Sequence, residues 1–347
     1  MTDDIRLCRT FQTAPAAVPK DDSAKYLVSA LTAEGFQAPD WLVPDMEDGT
    51  APNMKAEGLE NTIENVPEHD FPGEIWPRVE WSYEDAEYRE KGRAQIDRLV
   101  AEIGDEIDGV VVPKVGRLED VRRAAEAVAE AEAEHGYDDG SIGLSIIVET
   151  GRARSDLREI AQFGEDSRLT GLVFGPVDYT AELGGRDLGD GRPRWDGLLE
   201  AMSNEASAAG LVSIGGPFDD LFKERAGLTY YNADEYADQV EHEARLGLDG
   251  SWSLYPKQTI QANTIHMPTP DELERDVSKI ERFNEAKREG TGAVTLDGQM
   301  VDEATFKNFV NTVEQVCAIH EMRSGQTEEY YDDELLERTL ELELSYE

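Results

Sequence analysis

Short apolar runs rich in Val, Ile, Leu and Trp recur along the 347-residue chain. Between them lie longer stretches in which apolar positions return every three or four residues among Ala, Glu and Arg. The first pattern predicts buried strands and the second amphipathic helices. Strands are expected at Ile5–Gln12, Trp41–Pro44, Ile75–Glu80, Val110–Pro113, Leu144–Val148, Gly171–Phe174, Leu211–Ile214 and Gly250–Leu254. Leu118–His135 and Trp195–Ala209 are two of the helical stretches that separate them. Eight strands alternating with helices predict a parallel sheet, and eight is the number that closes a barrel. The expected fold class is α/β, a (β/α)8 TIM barrel, with an open doubly wound sheet as the competing architecture.

What favours the barrel is the chemistry that follows each apolar run. Asp45, Glu47 and Asp48 follow the second, Arg78 and Glu80 end the third, and Lys114 follows the fourth. Glu149 follows the fifth, Asp178 the sixth, and Pro256–Gln258 the eighth. Barrel enzymes build their sites from the C-terminal ends of their strands, and this row of polar residues falls there. Beyond the eighth strand, Pro268 and Pro270 introduce a long helix, a glycine-punctuated segment with Gly290, Gly292 and Gly298 follows, and a second helix comes after it. The chain is therefore expected to divide into a barrel over 1–267, carrying the site, and a small helical lid subdomain over 268–347. The glycines would suit a mobile lid or a connection that reaches a neighbouring subunit.

The charge balance changes the picture of the surface. With 75 acidic against 33 basic residues the formal net charge is −42. Such a chain repels nucleic-acid phosphates and anionic membranes, so neither is expected as a partner. Disorder would need low hydrophobicity and few aromatics, yet 39% of residues are hydrophobic and the chain holds 5 Trp, 12 Tyr and 10 Phe. A folded, halophilic protein fits better, since molar salt cuts the range of self-repulsion to about 3 Å. Cys8 and Cys317 provide neither a disulfide framework nor a zinc cluster. The N-terminus lacks an apolar signal core and no long apolar run occurs, so a cytoplasmic location is expected.

Glu149 and Asp178 form the strongest candidate constellation, because consecutive barrel strands would bring them to neighbouring places on one rim. Two carboxylates completed by water and other oxygens describe a Mg²⁺ site; two solvated or salt-bridged acids are the alternative. Asp45, Glu47 and Asp48 crowd one turn and would position other groups or support the metal, or form a chance cluster in an acidic chain. Arg78 lies on an apolar strand and needs a partner there, either a bidentate carboxylate ligand or an internal pair with Glu80 or Glu47. The glycine-rich stretches do not match dinucleotide or phosphate-loop patterns, and the five histidines lack ligand spacing.

The segments CRTFQTAPA, WLVPDMEDGTAPNMK, WPRVE, GVVVPKV, IIVETGRA, GLVFGPVDYTAELG, GLDGSWSLYPKQ and GAVTLDGQMVD, in this order, resemble the citrate lyase β-subunit/malyl-CoA lyase family over about residues 8–302. The resemblance implies Mg²⁺, with Mn²⁺ as a substitute, held by Glu149 and Asp178. It implies that Arg78 grips a small oxo-acid, with Arg9 near that site and Glu47 and Asp48 as an acidic pair among the catalytic residues. Asp302 is the expected acid/base, delivered from a neighbouring subunit, with Asp297 a close rival. Lys25 and Lys114 are the expected contacts for CoA phosphates. The implied reaction is reversible carbon–carbon cleavage of malyl-CoA or β-methylmalyl-CoA to glyoxylate and acetyl-CoA or propionyl-CoA, by a homo-oligomer, a trimer or hexamer. Condensation with thioester hydrolysis, as in a malate synthase, is one alternative; a citrate lyase β subunit and a non-catalytic acyl-CoA or organic-acid binding subunit are others. Two departures from the family pattern touch the rim: Tyr255 stands where His is common, and the loop TAPAAVPKDD is longer.

Overall fold

The computed structural model describes residues 7–185, 195–225, 227–288, 294–296 and 298–344. The described chain forms two compact units, Cys8–His266 and, together with Leu7, the residues from Met267 onward.

In the first unit the strands are β1 (Thr10–Pro15), β2 (Trp41–Asp45), β3 (Glu74–Ile75), β4 (Gly109–Val112), β5 (Gly143–Val148), β6 (Leu169–Phe174), β7 (Val212–Ile214), β8 (Phe222–Arg225), β9 (Leu228–Tyr231) and β10 (Ser251–Ser253). Two parallel four-stranded sheets, ordered β10-β1-β2-β3 and β4-β5-β6-β7, are joined at both edges. Arg78 bridges to Asp45 and Val111 on one side, and Ile214 to Gly250 on the other. The eight parallel strands thus close into a barrel, as the alternation of strand and helix predicts. Pro77 is the reason β3 is short. It offers no amide to the ladder, but its carbonyl accepts from Val111 and the strand direction continues through Val79, whose amide reaches the Val111 carbonyl.

The first strand is displaced from its expected place. The apolar residues near Cys8 suggested Ile5–Gln12, whereas pairing runs from Thr10 opposite Ser251 to Pro15 opposite Asp45. Register with two neighbours, rather than local hydrophobicity, sets its limits. The antiparallel hairpin β8–β9 was not expected either. Phe222 and Leu228 are exposed there, so the segment lacks the buried alternation that marks a strand in sequence.

The barrel interior explains several glycines. Trp41 on β2 and Trp76 just beyond β3 stack at 4.2 Å inside the ring. A Cβ at Gly109 would stand 2.1 Å from Trp76, and one at Gly143 2.6 Å from it. The strand openings GVVV and GLSIIV therefore begin with glycine because the indoles occupy that space. Phe11, Val43, Val111, Ile147, Val173, Ile214 and Trp252 complete this inner cluster. Helices such as Ala86–Ile103 and Leu118–His135 bury their apolar faces on the outside of the strands.

A buried polar chain lies between β10 and its covering helices. Glu243 accepts from the Ser251 hydroxyl at 2.5 Å and from Gln239 at 3.0 Å, and the same hydroxyl sits 3.0 Å from His266 Nε2. Burial pushes the Glu243 carboxyl up to about 8 and, with Arg9 adding to it, pulls His266 down to about 4.

In the second unit, helix Pro270–Arg288 precedes a hairpin, β11 (Val294–Leu296) and β12 (Gln299–Val301), turned at Gly298 with φ of +82°. Helices Glu303–Tyr330 and Asp333–Leu340 follow. Phe283 packs on Phe306 at 4.8 Å, and Arg338 pairs with Glu274 and Glu281. Among the described residues no helix is long and apolar enough to cross a membrane.

The raised Glu243 carboxyl makes a pH prediction. The folded state keeps this proton to about pH 8, while the unfolded chain loses it near the ordinary value of about 4.3. Unfolding therefore releases a proton in that window, and stability falls as pH rises through it. Glu243→Gln removes the slope, so its stability relative to the parent should rise between pH 5 and pH 8 (about the interval between those two values). Chemical unfolding at constant KCl across that range checks this; a pH-independent difference would refute it.

Candidate active site

Strand alternation aims the site residues. Val43, Trp76 and Ile147 point into the barrel core, so Asp45, Arg78 and Glu149, each two residues farther on, point the same way at the C-terminal mouth. All three are buried. Arg78 donates from Nε to Asp45 Oδ1 at 2.8 Å and from Nη2 to Asp45 Oδ2 at 2.5 Å. Its Nη1 lies 3.6 Å from Glu47 Oε2. Burial disfavours the guanidinium charge, but the Asp45 charge and hydrogen bonds outweigh it and hold Arg78 above its ordinary value. Asp45 thus takes one edge of the fork, and among the described residues the edge formed by the two Nη atoms faces only the longer contact to Glu47.

The turn after β2 is built around the same aspartate. Asp45 Oδ1 accepts from the Glu47 amide and Oδ2 from the Gly49 amide, each at 2.9 Å. A Cβ at Gly49 would stand 2.1 Å from Asp45 Oδ2, so only glycine allows this approach. Sequence reading expected Arg78 to pair with a ligand, with Glu80 or with Glu47. Its close internal partner is instead Asp45, while Glu80 pairs with Lys55 at 3.1 Å and hydrogen-bonds Gln95. Asp45 is the residue whose weight sequence reasoning underrated; its signal was its place at the end of an inward-facing alternation.

Lys114 connects the second and fifth strand ends. Its backbone is left-handed, with φ of +50°, which turns its amide onto Glu149 Oε1 at 2.6 Å. Its ammonium binds Glu47 Oε1 and, at 2.8 Å, Asp48 Oδ2. Burial raises the Glu47 carboxyl, against the pull of Arg78 and Lys114. For Asp48 burial is outweighed only by the Lys114 hydrogen bond and charge acting together with Glu47 and Arg78, and that carboxyl is held low. The acidic pair therefore fixes Lys114, and the ammonium expected to reach CoA phosphates is engaged at the mouth of the barrel.

Glu149 and Asp178 do come together electrostatically. Burial pushes the Glu149 carboxyl up to about 8, with the Asp178 charge adding to it. Asp178 sits in the first turn of helix Pro176–Glu182, not on β6 itself. Gly175 leaves room for the Glu149 side chain, since a Cβ there would stand 2.5 Å from Glu149 Oε2. A buried carboxylate destabilised by a second carboxylate is the donor chemistry that a hard divalent cation relieves. Glu149 and Asp178 fit such an ion; among the described residues no third His, Cys, Asp or Glu joins them as a cluster.

Other expected residues lie elsewhere. Arg9 precedes β1, at the opposite end of the barrel. There its side chain is buried and forked onto Asp40, Nε to Oδ2 and Nη2 to Oδ1, both at 2.8 Å. The expectation that it stands near the oxo-acid is corrected: its position before the strand puts it at the N-terminal face. Lys25 opens the helix Lys25–Leu31 that follows β1, on the same side as the mouth, with its ammonium 4.5 Å from the Tyr26 ring centre. Tyr255 caps the end of β10 and packs on Phe222 and Tyr231, each at 5.7 Å, so the residue replacing histidine belongs to an aromatic group with the β8–β9 hairpin. Asp302, in the second unit, caps helix Glu303–Tyr330 by accepting from the Thr305 amide and hydroxyl, each at 3.0 Å. Asp297 lies outside the described residues.

Comparison with known proteins adds to this geometry. The model of the HpcH/HpaI aldolase/citrate lyase family matches residues 26–256. An L-malyl-CoA/beta-methylmalyl-CoA lyase of Haloarcula marismortui is 67% identical over 98% of this chain and 99% of its own length. A malate synthase of Haloferax volcanii is 36% identical over 98% of the chain and 76% of its own length. A solved structure described as the Haloferax volcanii malate synthase magnesium/glyoxylate complex superposes with a TM-score of 0.71 at 32% identity, covering 98% of this chain and 100% of that one.

Breaking the central pair should be costly. Asp45→Asn removes the principal counter-ion of the buried Arg78, leaving only the longer contact to Glu47 among the described residues, and should lower stability by about 3–5 kcal/mol. Unfolding titrations in molar KCl read this directly; a loss no larger than that of Glu47→Gln would show that Asp45 is not the main partner.

Proposed function

The chain belongs to the HpcH/HpaI aldolase/citrate lyase family, and we propose that it cleaves and forms a carbon–carbon bond in malyl-CoA or β-methylmalyl-CoA. It is a carbon–carbon lyase of the oxo-acid type: the products of cleavage are glyoxylate and acetyl-CoA or propionyl-CoA. The observation that carries this reading is the juxtaposition of Arg78's open edge with the Glu149–Asp178 pair in one barrel mouth. It is supported by 67% identity to the Haloarcula lyase. The malate-synthase alternative, with thioester hydrolysis, has the weaker support of 36% identity over 98% of the chain and 41% over 76% of it.

The chain's own residues supply most of the chemistry. The two Nη atoms of Arg78 bind the glyoxylate carboxylate bidentately, because Asp45 leaves that edge open. Mg²⁺, or Mn²⁺ in its place, would be held by Glu149 and Asp178 and would supply positive charge for oxygen atoms of the oxo-acid. In the condensing direction Asp302 takes the proton from the carbon next to the thioester carbonyl, and that carbon forms the new bond to the aldehyde carbon of glyoxylate. The aldehyde oxygen, left as an alkoxide when its C=O π bond opens, takes a proton from solvent. In cleavage the hydroxyl gives that proton back to solvent, the carbon–carbon bond breaks as the C=O reforms, and Asp302 returns its proton to the thioester enolate carbon. Asp297 is the rival for this role. We assign Asp302, Arg78, Glu47 and Asp48 to the reacting site, Lys25 to the CoA side, and Lys114 to fixing the acidic turn. The 268–347 segment acts as a lid in a homo-oligomer, with Asp302 reaching the barrel of a neighbouring copy. Net charge of −42 suits solubility in concentrated salt, where screening is short-ranged.

Two outcomes are expected. In high KCl with Mg²⁺, malyl-CoA and β-methylmalyl-CoA should release glyoxylate, and condensation from acetyl-CoA should not release free CoA in step with product. Stoichiometric free CoA would favour the synthase reading, and no turnover in either direction would reject the proposal. Asp302→Asn should lose about 10²–10⁴-fold in kcat with its unfolding transition unchanged, the usual contribution of a general base; full turnover would transfer the role to another group.

A further inference from the structure

Arg78 is fixed on one edge by Asp45, but an edge alone leaves the planar guanidinium free to tilt about that contact. The guanidinium also lies over an indole. The ring centre of Trp252, on β10, lies 5.7 Å from Arg78 Cζ. This ring is itself tightly held: its Nε1–H donates to the Thr13 hydroxyl at 3.0 Å. Phe11 packs edge-on at 5.0 Å, and Trp252 is 5% exposed. The two contacts come from different strands, Asp45 from β2 and Trp252 from β10, with β1 between them.

We propose that Trp252 is a positioning residue for oxo-acid binding, a rigid platform that holds the guanidinium plane of Arg78 so that its open edge meets the substrate carboxylate. Bidentate recognition depends on the plane of the fork as much as on its charge. A cation also gains from an aromatic face when both are desolvated, as here. Thr13 belongs to the same device, since it fixes the rotation of the indole. Core packing alone would be satisfied by any large apolar side chain at 252. Thr13 would then have no bearing on substrate binding, and the two readings differ in what they predict.

The inference rests on the assignment of Arg78 to the oxo-acid, and the experiment separates the two. Steady-state condensation kinetics would be measured in high KCl with Mg²⁺, for the parent and for Trp252→Phe, Trp252→Leu, Thr13→Val and Arg78→Lys, varying glyoxylate and acyl-CoA in turn. Trp252→Leu should raise KM for glyoxylate on the order of tenfold, the loss expected for a buried cation–aromatic contact, with KM for acyl-CoA unchanged. Trp252→Phe, which keeps an aromatic face, should recover part of that loss, and Thr13→Val should move the same constant in the same direction. Equal increases in both KM values, or an unchanged glyoxylate KM in Trp252→Leu, would overturn the proposal. If Trp252→Leu does not fold, Thr13→Val decides, and an unchanged glyoxylate KM in that variant is then the refutation. If Arg78→Lys leaves the glyoxylate KM unchanged, the assignment of Arg78 itself fails; if only the Trp252 and Thr13 variants are silent, the positioning role alone fails.

Discussion

The barrel mouth is organised by one ion pair, the fork of Arg78 onto Asp45. A guanidinium inside a closed ring of strands is costly unless a carboxylate matches its geometry, and here two parallel hydrogen bonds do so. The pair also closes the architecture. Arg78 is the residue through which the third strand direction bridges both its neighbours, Asp45 and Val111. The same aspartate gathers the amides of Glu47 and Gly49, so the turn after β2 is shaped by its carboxylate. Structure and chemistry therefore meet at the same two residues, the first through backbone bridges and the second through the side-chain pair.

From that contact the rest of the site follows by adjacency. Glu47 lies beside Arg78 and holds Lys114, and the left-handed backbone of Lys114 places an amide on Glu149. Glu149, for which Gly175 leaves room, in turn feels the charge of Asp178. Cationic and anionic groups alternate around the mouth. This spreads the desolvation cost across the network and leaves two carboxyls acting on each other, Glu149 and Asp178, the pair we propose for the divalent cation.

Below the mouth the barrel holds an apolar cluster built on stacked tryptophans, while the chain as a whole is strongly acidic. These regions obey different constraints. Inside, volume is limiting: Gly109 and Gly143 are glycine because Trp76 fills the room a side chain would take. On the outer surface, charge is limiting, and many acids are paired across helices, as Glu60 with Arg98 and Glu205 with Arg158. Lysines and arginines are too few to neutralise the remainder.

The fold class was legible in the chain alone, because eight apolar runs separated by amphipathic stretches leave few alternatives to a parallel barrel. So was the end of the barrel that carries chemistry, since a polar residue two places beyond an inward-facing apolar one must share its direction. Arg78, Glu149 and Asp45 were all visible in this way. Tertiary structure alone decided who pairs with whom. Local pattern cannot specify a partner 33 residues away, as in Asp45 and Arg78, nor separate the two ends of β1, where Arg9 turned out to face Asp40 away from the mouth. It also decided the limits of β1 and the presence of the β8–β9 hairpin. Register is set by neighbouring strands, and an exposed hairpin leaves no burial signal in sequence.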